Sequence, residues 1–286
     1  MGLRIDKPVL VFGGCYSNLE ATRTMLGIVE RLGLEPCNVI CTGDVVAYCA
    51  DPQATVDLIR ASGICVIMGN CEEALATASD NCGCGFEVGS ACDRLSSQWY
   101  SFAAAHLSEE AREWMGSLPR KLEFDMNGHR LAVIHGGARQ INRFIFESTP
   151  VSIKEEEIGW LKCDGVIAGH CGLPFTQLVG DHFWHNSGAL GLPANDGTSR
   201  TWYSILYPQE DGIMIEPLAL LYPAYETLRK MQACGLTGGY EKTLVSGIWP
   251  SADSLPAMER AREGVALDLR PTYWTKRSVA NRRVSA

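Results

Sequence analysis

Four polar residues of this sequence each stand beside a glycine at the end of a short apolar stretch. They are Asp44, Asn70, His135 and His170. Open α/β sheets bind ligands outside the carboxyl ends of their strands, so we expect these side chains to converge. One carboxylate, one amide oxygen and two imidazoles suit Zn, Mn or Fe. The pattern predicts a site for a divalent transition metal; the alternative is four residues that only shape turns.

The elements that must position these side chains begin with strand–helix units. Pro8–Phe12 is apolar enough for a buried strand, and the residues after Leu19 have the apolar spacing of a helix that ends at Gly33. Asp51-Pro52 is typical of the start of a second helix. Residues 8–70 are therefore predicted to form β-α-β-α-β, with neighbouring parallel strands.

The rest of the chain has a different pattern. Residues 71–120 are predicted to be mostly helical, and Asn127-Gly128 lies between two alternating stretches, which predicts a hairpin with a type I′ turn. From Phe175 to Leu220 short strands alternate with turns, which favours a mostly antiparallel second half. Helical segments follow Tyr222.

Composition narrows the classes of function. The formal net charge of −8 gives no strong signal for nucleic-acid binding. No apolar stretch reaches about 18 residues, and the first ten residues lack the apolar core of an export signal. We therefore expect a cytoplasmic protein that does not span a membrane. Its 12 cysteines are then expected to be reduced thiols.

The ordered motifs resemble a known family. Gly43-Asp44, Gly69-Asn70, His135-Gly136 and Gly169-His170, followed by Asn186-Ser187-Gly188, are similar to those of the calcineurin-like metallophosphoesterases in their compact bacterial phosphodiesterase branch. The resemblance implies an α/β fold, a four-layer α/β/β/α metallophosphoesterase sandwich with a helical C-terminal extension. We expect the domain to cover residues 1–245 and the extension, partly helical and then a polar tail, to cover residues 246–286.

The resemblance also implies a ligand set, and this chain keeps only part of it. The family residue matching Asp44 bridges two metals, and those matching Asn70, His135 and His170 complete one of the two sites. The family's opening Asp-x-His is replaced here by Gly14-Cys15-Tyr16. Its final Gly-His-x-His is replaced by Gly169-His170-Cys171-Gly172. Three of the other metal's four ligands are missing, so we predict one ion.

The family's proton donor to the leaving group is also replaced. Its histidine corresponds to Cys71, whose thiol is a weaker hydrogen-bonding acid. Glu72 is placed next to it, where a carboxylate would orient an imidazole restored at position 71. Cys71 and Glu72 are therefore the candidate catalytic residues.

Further candidates each have a simpler alternative. Cys15, Tyr16 and Cys171 lie in the metal-site loops and are either additional ligands or fillers of the vacated space. Arg139, Asn142 and Arg143 follow His135 and are either phosphate-binding groups or solvated residues. A second cysteine site is the last candidate, with an incidental loop as its alternative; its members are Cys82, Cys84 and Cys92.

The function predicted from these residues is that of a metal-dependent phosphoesterase-type hydrolase, a phosphatase or phosphodiesterase with a reduced site. Its substrate would be a phosphorylated small molecule or a phosphodiester. One alternative is a catalytically weak or inactive protein of the same fold that acts as a binding or scaffold protein, with a protein partner. The other is a cysteine-rich metal or redox protein.

Overall fold

The computed structural model describes residues 3–276. Its strands are β1 (Leu3–Arg4), β2 (Val9–Phe12), β3 (Val39–Cys41), β4 (Cys65–Val66), β5 (Lys121–Met126), β6 (His129–Ile134), β7 (Gly165–Ala168), β8 (Pro174–Val179), β9 (His182–Ser187), β10 (Thr201–Gln209), β11 (Gly212–Leu220) and β12 (Thr272–Thr275). Its helices are α1 (Leu19–Leu32), α2 (Pro52–Ser62), α3 (Asn70–Ala76), α4 (Ala91–Ala105), α5 (Glu109–Ser117), α6 (Val151–Leu161), α7 (Ala224–Ala233), α8 (Tyr240–Ser246) and α9 (Ala257–Arg260).

The strands form two six-stranded sheets. The first sheet has the order β1-β5-β6-β7-β9-β8, and the second has the order β12-β11-β10-β2-β3-β4. Strands β2, β3 and β4 are parallel neighbours, as are β6, β7 and β9. The carboxyl ends of β3 and β4 therefore lie at one edge of the second sheet, and those of β6 and β7 lie at one edge of the first.

Alternation along the strands produces the layers. In β2, Val9 and Val11 join an apolar core that also contains Leu131 and Ile167 of the first sheet. The alternate side chains of this strand, Leu10 and Phe12, point the other way and pack in a second core with residues of α1 and α2. A third core joins the outer face of the first sheet to α6. This arrangement confirms the predicted α/β/β/α sandwich.

Local sequence signals fixed several connections correctly. The β2-α1-β3-α2-β4 order confirms the predicted β-α-β-α-β segment. Asn127 and Gly128 have φ angles of 54° and 80°, the left-handed values that a type I′ turn requires at both central positions. The antiparallel pairs β8–β9 and β10–β11 follow the pattern predicted for the second half.

The segment after residue 245 packs onto the sandwich. It contributes the short helix α9 and the strand β12, which pairs with β11 at the edge of the second sheet. The division at residue 245 stays a prediction, and the polar tail beyond residue 276 lies outside the described residues. Within residues 3–276, no helix is both long enough and apolar enough to cross a membrane.

Candidate metal centre

The turns that carry the four predicted ligands are tightly packed and strained. Asp44 and His170 have positive φ angles of 57° and 61°, which are costly for residues with a side chain. A glycine is needed at position 43, directly before Asp44, because a Cβ there would lie 2.6 Å from the backbone nitrogen of Gly69. Strain of this kind concentrates at functional sites, where the surrounding structure holds it in place.

The four side chains converge on one point. His135 Nε2 lies 3.0 Å from Asn70 Oδ1, 3.3 Å from Asp44 Oδ2 and 3.2 Å from His170 Nδ1. The candidate ligand atoms of Asp44 and the two histidines all lie within 4.8 Å of one another. Asp44, Asn70 and His135 are at most 5% exposed.

Hydrogen bonds around the site fix which atoms face this point. His135 Nδ1 lies 2.7 Å from the carbonyl oxygen of Thr42, so Nδ1 carries a proton and Nε2 presents its lone pair. Asn70 Nδ2 donates to the carbonyl oxygen of Cys82 at 2.9 Å, which turns Oδ1 toward His135. His135 Nε2, Asn70 Oδ1 and Asp44 Oδ2 are thus acceptor atoms that face one another, an arrangement that a cation between them would stabilise. The donor set fits one divalent transition metal.

Burial and neighbouring charges shift the pKa values of three of the candidate ligands. Burial lowers the pKa of His135, but Asp44, the carbonyl of Thr42 and the charge of Glu72 together raise it more, so that the net pKa lies above 6.5. Burial raises the pKa of Asp44, but His135, His170 and the N–H of Cys71 together more than offset this effect. Burial and the neighbouring His135 lower the pKa of His170 to about 3, which keeps this imidazole neutral. A proton therefore competes with a metal ion for His135.

Glu72 holds the two ligand turns together. Its carboxylate accepts hydrogen bonds from the backbone N–H groups of Asp44, Gly69 and Val45 at 2.7, 2.9 and 2.8 Å. Burial and the charge of Asp44 raise the pKa of Glu72 to about 7. Since both oxygens are taken by backbone donors, the structure gives Glu72 a positioning role, and it does not show the predicted orientation of an imidazole at residue 71.

Cys71 lies directly beside the ligands but is almost fully enclosed. Its backbone N–H donates to Asp44 Oδ1 at 3.1 Å, and the residue is 1% exposed. Burial and the charges of Asp44 and Glu72 raise the pKa of its thiol well above 9, so it stays protonated at neutral pH. Its role as a proton donor stays a prediction.

Tyr16 fills the space that the missing ligands would need. An added Cβ at Gly14, the position of the lost aspartate, would lie 2.2 Å from Tyr16 Cε1. At the other end of the ring, the Tyr16 hydroxyl is 3.9 Å from the position of a Cβ at Gly172. The ring therefore extends from one vacated position to another, which favours the filler alternative over a phenol ligand.

The two cysteines predicted as additional ligands are not part of the converging cluster of Asp44, His135 and His170. Cys171 Sγ accepts from Asn186 Nδ2 at 3.2 Å and lies 3.6 Å from the carbonyl oxygen of Leu173. Cys15 is fully buried in the core that contains Phe12 and Cys41. Neither belongs to the His/Cys/Asp/Glu group that could share an ion within the described residues. Their role as additional ligands therefore stays a prediction.

The three predicted phosphate-binding residues are also engaged elsewhere. Arg143 pairs with the buried Glu157 at 2.5 Å, and the Arg139 guanidinium lies 4.7 Å above the ring of Trp160. Asn142 Nδ2 donates to the carbonyl oxygen of Gly83 at 2.7 Å. Partners distant in the sequence occupy these three side chains, and their binding of phosphate stays a prediction.

The second cysteine site is a disulfide instead of a metal site. Cys82 and Cys84 are bonded to each other, and Cys92 is free. A disulfide has no thiolate to offer a metal, so the predicted cluster is not formed, and the prediction of reduced thiols is wrong for this pair. The bonded loop still contributes to the centre, because Cys82 provides the carbonyl that orients Asn70.

A small cavity of about 50 Å³ opens beside the candidate ligands Asp44 and His170. Its aromatic lining was not foreseen from the sequence, apart from Tyr16; the other aromatic residues are Tyr48, Phe86, Phe144, Tyr240 and Trp249. Phe144 packs against His170 with 4.2 Å between ring centroids. These residues come from five separate segments, so no local signal connects them.

Comparison with known proteins finds relatives of similar sequence and similar fold. The uncharacterized protein MJ0912 of Methanocaldococcus jannaschii is 23% identical over 246 residues, covering 79% of this chain and 93% of that protein. A metallophosphoesterase of Sphaerobacter thermophilus has a TM-score of 0.65 at 20% identity, covering 85% of this chain and 100% of its own. The hypothetical protein PH1004 of Pyrococcus horikoshii has a TM-score of 0.68 at 15% identity, covering 84% and 98%.

The model of the calcineurin-like phosphoesterase superfamily domain matches residues 17–207. This match covers more than half of the chain and includes all four converging side chains. The chain therefore belongs to the calcineurin-like phosphoesterase superfamily.

Proposed function

We propose that this protein is a metal-dependent phosphoesterase-type hydrolase, a phosphatase or phosphodiesterase with a single-ion centre. The observation that carries the proposal is the convergence of Asp44, Asn70, His135 and His170 on one point. A divalent ion there would polarise a phosphoryl oxygen and lower the pKa of a water molecule. The ring of Tyr16 in the neighbouring space supports one ion.

The chain's own residues prepare this chemistry. Thr42 fixes the tautomer of His135, and Glu72 holds the turn of Asp44. Cys71 would be the proton donor to the leaving group, and its high pKa makes it a weak one. The substrate class that follows is a phosphorylated small molecule or a phosphodiester with a good leaving group, because such a group departs without a proton.

A purified sample tests the proposal directly. The metal content is measured in protein made without added metal, and hydrolysis is followed over a panel of phosphomonoesters and phosphodiesters. We expect one equivalent of Zn, Mn or Fe and turnover of aryl esters, both abolished in Asp44→Ala. A protein that holds the ion but hydrolyses none of the panel would contradict the proposal.

The second candidate function is that of a non-hydrolytic binding or scaffold protein. The enclosed thiol of Cys71 and the space occupied by Tyr16 favour it, because both replace groups with which the family performs hydrolysis. A protein partner would then replace the substrate. The Cys82–Cys84 disulfide is the observation in favour of the redox alternative. Disulfides are uncommon in the cytoplasm, so the predicted location stays a prediction.

A further inference from the structure

The hydroxyl of Tyr16 is an unusual group in this structure. The residue is 6% exposed, and among residues 3–276 its hydroxyl has no hydrogen-bond partner. The hydroxyl is not among the enclosed polar atoms that lack a partner, so it is open to the cavity, where a bound ligand can accept its hydrogen bond. Tyr16 lines the cavity together with Asp44 and His170.

Hydrogen bonds and ring packing hold Tyr16 in place. The backbone nitrogen of Tyr16 donates to the carbonyl oxygen of Asp44 at 3.2 Å, and its carbonyl accepts from Cys49 at 3.1 Å. The ring packs edge-on against Tyr48, with 4.8 Å between centroids. Tyr16 also has a positive φ angle of 53°. A strained residue fixed on several sides is well suited to present one donor in one direction.

We propose that the Tyr16 hydroxyl donates a hydrogen bond to a phosphate oxygen of the ligand bound at the metal centre. This inference rests on the proposed function, because it needs a phosphate group beside Asp44 and His170. The hydroxyl stands at the end of the ring that reaches toward Gly172, within the space vacated by the missing ligands. It supplies a neutral donor where a second cation is missing.

The chemistry of the phenol supports a donor role. Burial, followed by the charge of Asp44, raises the pKa of Tyr16 well above 10, so the proton stays on its oxygen. A neutral donor adds no charge to repel a metal ion at the four ligands. Hydrogen bonds to charged acceptors are stronger than those between neutral groups, so a phosphate is a better match than an uncharged ligand.

The test uses the full-length, metal-loaded protein with inorganic phosphate as the probe. Tyr16→Phe removes one oxygen and keeps the ring that fills the space. We expect the Kd for phosphate, measured by calorimetry, to rise roughly 10- to 100-fold, as expected for the loss of a hydrogen bond to a charged group. The kcat/KM for an aryl phosphoester should fall by a similar factor, with metal content unchanged.

Tyr100→Phe is the matched control. It removes the same atom from a hydroxyl that donates to the carbonyl oxygen of Ser79 and does not line the cavity. We expect it to bind phosphate as the wild type does. Equal phosphate affinity in Tyr16→Phe and the wild type would overturn the inference, while turnover by the wild type would leave the proposed function standing.

Two other results are informative. Loss of the metal in Tyr16→Phe would mean that the phenol is a ligand, which overturns the inference as stated. A wild-type protein that holds its ion but neither binds phosphate nor hydrolyses any ester would overturn both proposals. The two failures are therefore distinguishable.

Discussion

Glu72 Oε2 lies 2.7 Å from the backbone nitrogen of Asp44, although the two residues are 28 positions apart in the chain. The same oxygen accepts from the backbone nitrogen of Gly69 at 2.9 Å. One carboxylate therefore sets the spacing between the turn that carries Asp44 and the turn that carries Asn70. The hydrogen bond from the Cys71 N–H to Asp44 Oδ1 is a second connection between these turns.

We predict that Glu72→Gln weakens both the fold and the metal site. A glutamine keeps the size of the side chain, but its amide nitrogen cannot accept from backbone N–H groups. Leaving such buried donors unpaired costs roughly 1–3 kcal/mol, and disturbing groups that orient ligands typically lowers metal affinity about 10- to 100-fold. Thermal unfolding and metal titration measure the two effects.

The control for this variant is Glu73→Gln. Glu73 is the next residue of α3, and its carboxylate pairs with Arg120, a partner more than half exposed to solvent. Exposed ion pairs contribute little, so stability and metal affinity should remain close to those of the wild type. If the Glu72→Gln and Glu73→Gln proteins behave alike, Glu72 does not position the ligands.

The metal count follows from the ligands present. We predict one ion per chain in the wild type, and loss of that ion in His135→Ala with an unchanged circular dichroism spectrum. His106→Ala, which alters an exposed histidine, should keep its ion. Elemental analysis gives the stoichiometry. Anomalous scattering from two ions about 3.5–4 Å apart would contradict a single-ion site.

The weakly acidic thiol of Cys71 leads us to predict a preference among leaving groups. Aryl phosphoesters should be cleaved much faster than alkyl phosphoesters, because an alkoxide needs a proton and the thiol is a poor source of one. Cys71→Ala should slow alkyl esters selectively, and Cys71→His should accelerate them by up to about 10²-fold, at the low end for general acid catalysis. The ratio of aryl to alkyl turnover is the measurement. A ratio that is the same in all three proteins removes Cys71 from the mechanism.

His185 predicts how stability depends on pH. Its ring is 1% exposed, Nδ1 lies 2.9 Å from Thr176 Oγ1, and burial lowers its pKa to about 3. The unfolded chain, with an ordinary pKa near 6.5, binds the proton more readily, so the stability from this neutral histidine is lost as the pH falls from 6.5 toward 3. Linkage gives a loss of roughly 2–3 kcal/mol by pH 4.5.

Denaturant unfolding at several pH values tests this prediction. His185→Leu should be less stable than the wild type by a constant amount near neutral pH, because the bond to Thr176 is lost, but its stability should fall less on acidification. The comparison of slopes separates the two effects. Parallel curves for both proteins below pH 6.5 would mean that His185 is not the titrating group.

The Cys82–Cys84 disulfide predicts a thiol count. Alkylation of the unfolded protein without reductant should label the ten cysteines that are free in the structure, and prior reduction should allow labelling of all 12. Mass spectrometry distinguishes the two numbers, and peptide mapping should place the unlabelled pair in the loop at residues 82–84. Full labelling without reductant would disprove the bond in solution.

The sequence predicted the parts of the fold that depend on local pattern. Alternation along Val9–Phe12 separated the two sides of a strand, and Asn127-Gly128 defined a turn whose angles the structure confirms. The convergence of the four polar residues followed from a general rule about strand ends. These features need only short stretches of sequence, because backbone geometry and side-chain direction determine them.

The parts that were missed depend on contacts between distant segments. Arg143 was predicted to bind phosphate, and its partner Glu157 lies 14 residues away on a helix. The contact of Glu72 with Val45 spans 27 positions and gives the carboxylate a different role from the predicted one. The thiol of Cys171, in the loop after β7, accepts a hydrogen bond from Asn186 of β9. No local pattern specifies which long-range partner a polar side chain will find.

The four ligands come in equal numbers from the two sheets. Asp44 and Asn70 follow strands of the second sheet, and His135 and His170 follow strands of the first. A bound ion would therefore cross-link the two sheets at one end of the sandwich. Elsewhere the sheets are held together by the apolar core between them. Removal of the ion should loosen that end first. Backbone amides near the four strand ends should therefore exchange their hydrogens faster in the metal-free protein than in the metal-bound one.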